Sequence, residues 1–382
     1  MKGETVYTNA RMVLRDRILT GSLRVAEGRI VEYDSSSAHS GSAIDCEGDY
    51  LLPGLIELHT DNLERHFTPR PKVQWHPAAA VMAHDAQMAT AGITTVFDAV
   101  FLGDEQPDGG RRNNNLRTIL EALRATQAQS YLRADHHLHL RCEVTWGPAA
   151  DTFEDLADDP LVGIVSVMDH SPGQRQFLKE DSYRTYYMGK FGLTAAEMDA
   201  FAARQRDASA RHAEPNRRAI AEGCRQRDLI LASHDDATPE HVAEARAMGV
   251  RFSEFPTTLE AARAARGEGM KVLMGAPNLV RGGSHSGNIS AARLAEAGCL
   301  DILSSDYVPI SLLHGAFLLH RVPLGIPLSE AVATVTAIPA AVAGFEDRGV
   351  IAPEARADLV RVHDTGDAPV VRAVWRAGRQ VA

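Results

Sequence analysis

Long apolar runs, paired cysteines and an excess of basic charge are all missing from this 382-residue chain. No stretch of about 20 apolar residues is present, so the sequence offers no membrane-spanning helix. The four cysteines, Cys46, Cys142, Cys224 and Cys299, form no C-x-x-C pair. That excludes a zinc ribbon and a disulfide framework, and reads all four as core residues. With 40 Lys and Arg against 50 Asp and Glu, the formal charge of -10 speaks against nonspecific nucleic-acid binding, which needs clustered cations to neutralise phosphates. It leaves room for a small anionic substrate, because metal ions and a few arginines can reverse the sign inside one pocket. The opening MKGETVYTNARMVL lacks the apolar stretch and cleavage site of a signal peptide. The cytoplasm is therefore the expected compartment, a membrane is not an expected partner, and a homo-oligomer stays open. Repeats and low-complexity segments are absent as well.

What is present is a globular composition, 45% hydrophobic and 24% charged, long enough for a barrel of roughly 250 residues plus an appended unit. Residues 1–50 read as short strands with turns, as in SLRVAEGRIVEYD, and 350–382 resume that style in ADLVRVHD and VVRAVWRAGRQVA. The two ends are expected to pair into a small β-sandwich around a barrel of residues 51–349. In between, apolar strands alternate with helical stretches, the pattern of parallel strands with crossover helices. Eight strands are predicted, over 51–59, 92–100, 131–144, 161–170, 228–235, 250–256, 271–277 and 300–308. The fold class is thus α/β, a (β/α)8 TIM-like barrel. A long insert over about 171–227, rich in aromatics, is predicted helical.

Polar residues recur at the C-termini of these strands, where barrel enzymes place their sites. By the two-residue period of a strand, Glu57, His59 and Asp61 share one face, with Ile56 and Leu58 on the opposite, helix-covered one. His59 and Asp61 can therefore hold one metal. In the third strand Asp135, His137, His139, Arg141 and Glu143 share a face. Groups so placed inside a barrel need partners, and a metal is the simplest account. His170, His234 and Asp306 end the fourth, fifth and eighth strands. A lone buried histidine is more often a hydrogen-bonded core residue than a ligand, so it is the recurrence that makes His59, Asp61, Glu143, His170, His234 and Asp306 the candidate ligands. Their mixed nitrogen and oxygen donors suit zinc, manganese or iron. His137 and His139 remain candidates to support the ligands, to touch substrate, or to sit solvated at the mouth.

Two loops are expected to meet anions. DNLERHFTPRP follows the first strand with Arg65, His66 and Arg70. NLVRGGSHSGN follows the seventh with Arg281, Ser284, His285 and Asn288 around its glycines. Backbone N–H groups of a Gly and Ser loop can cradle phosphate oxygens while Arg281 and His285 add charge; the alternative is a plain solvent loop.

The N-terminal β-rich segment, LLPGLIELHTD, the Asp ending the eighth strand and ADLV...VWRAGRQV together resemble the amidohydrolase superfamily across essentially the whole chain. HTDNLERHFTPRP, HDAQMATAGITTVFDAV, VMDHSPGQRQF, SHDDAT, EFPTT, MGAPNLVRGGSHSGN and SSDYVP narrow it. These seven motifs, in order, resemble the phosphonate-metabolism M family of the carbon–phosphorus lyase pathway, the α-D-ribose 1-methylphosphonate 5-triphosphate diphosphatases. The resemblance implies release of pyrophosphate and retention of the 5-phosphate. Most amidohydrolases carry His-x-His in the first strand, whereas here it is His59-Thr60-Asp61, and no carboxylated lysine stands out in the third or fourth strand. Glu143 is then the candidate bridging carboxylate. Glu254 takes the place of the usual sixth-strand histidine, which puts a second metal in question, and His170 is the candidate to replace it.

The mechanism this implies uses one or two divalent ions to activate a water whose proton passes to Asp306 as the oxygen attacks the α-phosphorus, with pyrophosphate leaving. Arg65, Arg281, His285 and the Gly-rich backbone would balance the triphosphate charge. Two rivals are C–N hydrolysis of a cyclic amide or amidine, and a catalytically dead binding protein of the same pathway. The two arginine-bearing loops disfavour the first, and the retained candidate ligands disfavour the second.

Overall fold

The structure, a computed structural model, describes residues 4–36, 43–70, 73–103, 116–177, 180–284 and 287–382. The chain opens with five strands, β1 (Thr5–Val13), β2 (Ile18–Ala26), β3 (Arg29–Asp34), β4 (Ile44–Asp45) and β5 (Tyr50–Pro53). It then threads β6 (Leu55–Thr60), β7 (Ile93–Leu102), β8 (Asp135–Glu143), β9 (Val162–Met168), β10 (Ile230–His234), β11 (Phe252–Glu254), β12 (Lys271–Gly275) and β13 (Ile302–Ser304). It closes with β14 (Leu359–Asp364), β15 (Pro369–Arg376) and β16 (Arg379–Gln380).

The outer strands form one sheet in the order β16-β15-β14-β5-β1-β2-β3, with β4 beside β1, so the two ends of the chain meet where β14 pairs antiparallel with β5. β15 and β1 are three places apart in that order, yet the rings of Tyr7 and Trp375 lie 4.9 Å apart, because the sheet curls over a shared core that includes Met12, Leu23, Ile30 and Leu359. Two hairpin tips meet across this unit. Glu27-Gly28 and Ala377-Gly378 all have positive φ, the conformation of a two-residue hairpin turn. A Cβ on Gly28 would stand 2.7 Å from the Ala377 carbonyl oxygen, so the contact itself demands glycine.

The middle strands form the second sheet, parallel throughout, in sequential order from β6 to β13. A bridge between Thr60 and Asp306, and a hydrogen bond from Asp61 N to Asp306 O at 3.1 Å, join its last strand to its first. All eight predicted barrel strands are present, except that residues 51–53 of the first belong to β5 of the outer sheet. The four cysteines are free and buried, as expected.

Inside the barrel, Ile56, Leu58, Phe97, Ile164, Ile230, Phe252, Leu273 and Ile302 form a plug drawn from every barrel strand but β8. Outside, Leu55, Val96, Leu138, Val165, Leu231, Val272 and Leu303 pack against the helices. Ile56 and Leu58, expected on the helix-covered face, are thus in the interior. The β6–β7 register slips between Leu55 and Ile56 and again between Glu57 and Thr60, which breaks the strict alternation that the expectation assumed. β8 contributes polar groups at this level instead. Asp135 is held by Arg348 at 2.9 Å, Arg376 at 2.6 Å and Arg356, and His137 stacks on Phe97 at 4.9 Å. The partners of these two residues are arginines and aromatics at the barrel base rather than a metal.

The predicted insert is helical, over Glu180–Phe191 and Ala195–Arg227. Thr194 and Glu197 form a capping box at the start of the second helix, and Asp228 ends it in the left-handed conformation. Phe177, Tyr183, Met198 and Phe201 give the insert a small apolar core of its own. Among the described residues no helix is long and apolar enough to cross a membrane.

Candidate functional site

The residues just past β10, β11 and β13 are not glycine, yet Asp235, Phe255 and Asp306 have φ of 57°, 51° and 52°. Side chains rarely adopt this conformation, and it recurs here at three strand ends of one barrel mouth. Each is held by its neighbours. Asp235 N donates to Glu254 O at 2.9 Å, Phe255 N to Leu273 O at 2.9 Å, and Asp306 O accepts from Thr60 Oγ1 at 2.8 Å. Glu57, fully buried, ties the first strand to the last by accepting from His59 N at 2.7 Å and from Ser305 N. Burial pushes this carboxyl up to about 7 against those hydrogen bonds.

Two groups of side chains converge there with donor atoms within 4.8 Å of one another: His59, His139 and Glu254, and His170, His234 and Asp235. Glu254 links them, 3.0 Å from His59 Nδ1 and 3.2 Å from His234 Nδ1. His170 Nδ1 is 2.7 Å from Glu143 Oε2, and Glu143 also accepts from Thr145 Oγ1 at 2.8 Å. His139 Nδ1 faces the Leu58 carbonyl at 2.8 Å, which can only accept, so the ring proton sits on Nδ1 and Nε2 keeps its lone pair. That Nε2 is buried without a hydrogen-bond partner, and so is Oδ1 of Asp61. Leaving such atoms unsatisfied costs about 1–3 kcal/mol each. A divalent cation would satisfy both.

The protonation states of three of the four histidines fit the same reading. Burial holds His59 well below the ordinary histidine range and pushes His139 down to about 4 and His234 to about 3, so these rings are neutral at pH 7 with lone pairs to offer. His170 goes the other way. Burial opposes its charge, but Glu143 and Asp235 outweigh that and raise it to about 9. Burial first, and the nearby charge of Asp61 second, push Asp306 upward against the pull of Arg141. A group of buried carboxylates and neutral imidazoles is a donor set that a divalent metal balances.

His59, Asp61, His170, His234 and Asp306 line one cavity of about 290 Å³, together with Arg281, Ser284 and Asn288 of the Gly-rich segment. Glu143 borders an adjoining cavity that shares Asp61 and His170. Other expectations are altered. His139, expected as a substrate contact, is fully buried among the ligand candidates. The first anion loop is instead the helix Asn62–Phe67, which turns His66 onto Asn62 at 3.3 Å and Gln87 at 3.1 Å. Arg70 is exposed in a bridge with Val73, and neither it nor His66 lines either cavity. Of the three cationic candidates in that loop, Arg65 is the one that approaches the mouth, 3.5 Å from Tyr307 O. His285 lies outside the described residues.

Sequence reasoning missed Asp235, since a strand-end Asp beside a His carries no signal of its own, and it named Glu254 only as a departure from the family. It also missed a buried group away from the mouth. His84 Nε2 is 2.6 Å from Asp98 Oδ1, His136 Nδ1 is 2.7 Å from Asp98 Oδ2, and His136 Nε2 is 3.3 Å from Asp85 Oδ1. These spacings use both ring nitrogens of His136 and one of His84, and Asn62 takes the other, so no lone pair is left over for a metal. They are hydrogen bonds within a filled network, which also ties His84 to Asn62, next to Asp61.

Comparison with known proteins agrees with this architecture. The chain is 50% identical over 377 residues to the alpha-D-ribose 1-methylphosphonate 5-triphosphate diphosphatase of Escherichia coli (strain K12), covering 98% of this chain and 100% of that one. Among solved structures, a 5-methylcytosine deaminase from Klebsiella pneumoniae superposes with a TM-score of 0.67 at 13% identity, covering 99% of this chain and 98% of that one. A putative prolidase from Bifidobacterium longum superposes with a TM-score of 0.65 at 17% identity, covering 100% and 95%. At such identities these two show the fold alone. The sequence profile of the amidohydrolase family matches residues 86–382, and with the barrel and its mouth already described, the chain belongs to that family.

Proposed function

We propose that this chain hydrolyses α-D-ribose 1-methylphosphonate 5-triphosphate to the 5-phosphate and pyrophosphate in phosphonate catabolism. The observation that carries the reading is the end-to-end likeness, at half identity, to the Escherichia coli diphosphatase. The geometry supports it, because Arg281, Ser284 and Asn288 stand on one wall of the cavity that contains Asp61 and Asp306. A polyphosphate needs such a wall and a neutral ring does not.

The cofactor in this reading is one or two divalent ions, with zinc, manganese and iron the candidates. His59, Asp61, His139 and Glu254 on one side, and Glu143, His170, His234 and Asp235 on the other, would hold them. A divalent ion there supplies Lewis-acid stabilisation of phosphate charge and lowers the pKa of water. Asp306, whose carboxyl burial and Asp61 push upward, would take the proton of the attacking water. The water oxygen bonds to the α-phosphorus, the bond from that phosphorus to the bridging oxygen breaks, and pyrophosphate departs toward Arg281 and Ser284.

The test is hydrolysis in ¹⁸O-labelled water with pyrophosphate and ammonia both measured. Label in the sugar 5-phosphate with unlabelled pyrophosphate is expected. Labelled pyrophosphate would rule out attack at the α-phosphorus. Ammonia released from a cyclic amidine, with no pyrophosphate from the triphosphate, would favour C–N hydrolysis instead.

A further inference from the structure

The cleft at the barrel mouth has two lobes. The one described above lies over the ends of β10 to β13, where His234, Phe255, Gly275 and Asp306 border it beside Arg281. The second, of about 400 Å³, lies over the ends of β7 and β8, bordered there by Phe101, Arg141 and Glu143. Asp61, Arg141, His170, Gln176 and Tyr186 border both, so two of the candidate metal ligands, Asp61 and His170, stand at the waist between them.

The walls of the two lobes differ in chemistry. The first offers the Arg281 guanidinium and the short polar side chains of Ser284 and Asn288 on a glycine-rich backbone, a surface for phosphate oxygens. The second is walled by Trp146, Tyr186 and Tyr187, with Lys190, Gln205 and His212 among them. Aromatic faces cover the apolar face of a sugar ring, and a lysine is a point charge suited to a compact anion. Lys190 sits over three rings, 5.6 Å from that of Tyr186, 5.5 Å from Tyr187 and 5.0 Å from Phe191, which hold its ammonium at this wall. Except for Trp146, these six residues come from the two insert helices, which share a small apolar core, and the second helix also packs against the barrel through Ala213, Ile220, Ala221 and Cys224.

On the reading of the function given above, we propose that the second lobe is the subsite for the sugar 1-phosphonate end of the substrate, with Lys190 and His212 meeting the phosphonate. The substrate then lies in one direction only, with its triphosphate crossing the waist toward Arg281. The helical insert becomes the element that selects for the group on the anomeric carbon.

The experiment compares α-D-ribose 1-methylphosphonate 5-triphosphate with ribose 5-triphosphate, which lacks the phosphonate, using pyrophosphate release by the metal-loaded full chain. Lys190→Ala is expected to lower the ratio of kcat/KM between the two substrates at least about tenfold, the loss of one charge-assisted contact. Lys190→Arg should restore most of that ratio, and His212→Ala should lower it in the same direction. A ratio unchanged in Lys190→Ala, or a loss that falls harder on ribose 5-triphosphate, would overturn the assignment of the lobe. Absence of pyrophosphate release from both substrates by the wild-type protein is a different outcome. It would remove the diphosphatase reading, and the subsite with it.

Discussion

Removing the proton from His136 is expected to cost the folded protein about 3 kcal/mol, because this fully buried ring is charged between two buried carboxylates. Burial alone would lower its pKa, but Asp98 and Asp85 outweigh burial and raise it to about 9 from the ordinary 6.5. His84, on the other side of Asp98, is lowered by burial, so the network carries one imidazolium and not two. At 1.36 kcal/mol per pH unit, the rise from 6.5 to about 9 corresponds to that figure of about 3 kcal/mol. The folded value lies above the unfolded one. The stabilisation is therefore present in full below about pH 6.5 and is lost as pH rises through about 9. Against a typical total of about 5–15 kcal/mol, such a loss is visible in urea unfolding of chelator-treated protein at pH 6 and pH 10. His170 is raised to about the same value, so the bulk slope sums both residues. Nitrogen-15 NMR of labelled histidine separates them. A His136 midpoint near 9 is expected, and one at or below 6.5 would refute the reasoning.

Other outcomes follow from the mouth and the plug. Asp306→Asn should keep the fold and the metal and lose at least about 10²-fold in kcat, measured by pyrophosphate release; near-normal turnover would remove Asp306 from proton transfer. Arg281→Ala should raise KM for triphosphates far more than for a diphosphate, because in the proposed pose it meets the distal end of the tail, and an equal rise for both would place it elsewhere. Stripping metal with a chelator, verified by elemental analysis, should abolish activity and lower Tm, with both restored by an added divalent ion. Full activity in verified metal-free protein would rule out a metal role. Phe252, fully buried in the barrel plug, should cost about 3–5 kcal/mol in unfolding free energy when replaced by alanine.

Much of the fold is legible in the sequence because its signals are long and redundant. Runs such as GITTVFDAV and LVGIVSVM are apolar on both faces, as strands buried under helices outside and a plug inside must be. The segments between them carry helix punctuation, such as Thr238-Pro239 before one helix and Gly249, with φ of 86°, after it. The failures are local and have one cause. Assigning Ile56 and Leu58 to the outer face assumed strict alternation along β6, and two register slips within six residues break it. A bulge is set by what the neighbouring strand and the barrel closure require, and a single strand's pattern does not contain that.

The site divides the same way. His59, His170, His234 and Asp306 were legible because a strand end in a barrel has one place to point, and a polar residue there is at the mouth whatever else the chain does. The loop residues were not, because an arginine after a strand reaches the mouth only if the segment turns back over it. Residues 62–67 wind into a helix that carries His66 to Gln87, whereas Arg281 follows the short helix Ala276–Val280 and stays on the cavity wall. Glu254 shows what lies between these cases. Its position on β11 was readable, but its role depends on three histidines from β6, β8 and β10 arriving around one carboxylate. His59 lies 3.0 Å from it, His234 3.2 Å and His139 3.7 Å. β10 is the direct neighbour of β11, with His234 in register with Glu254, but only closure of the barrel brings β6 and β8 within reach, so the donor set is a property of the closed sheet and each of its members reads, alone, as an ordinary buried polar residue.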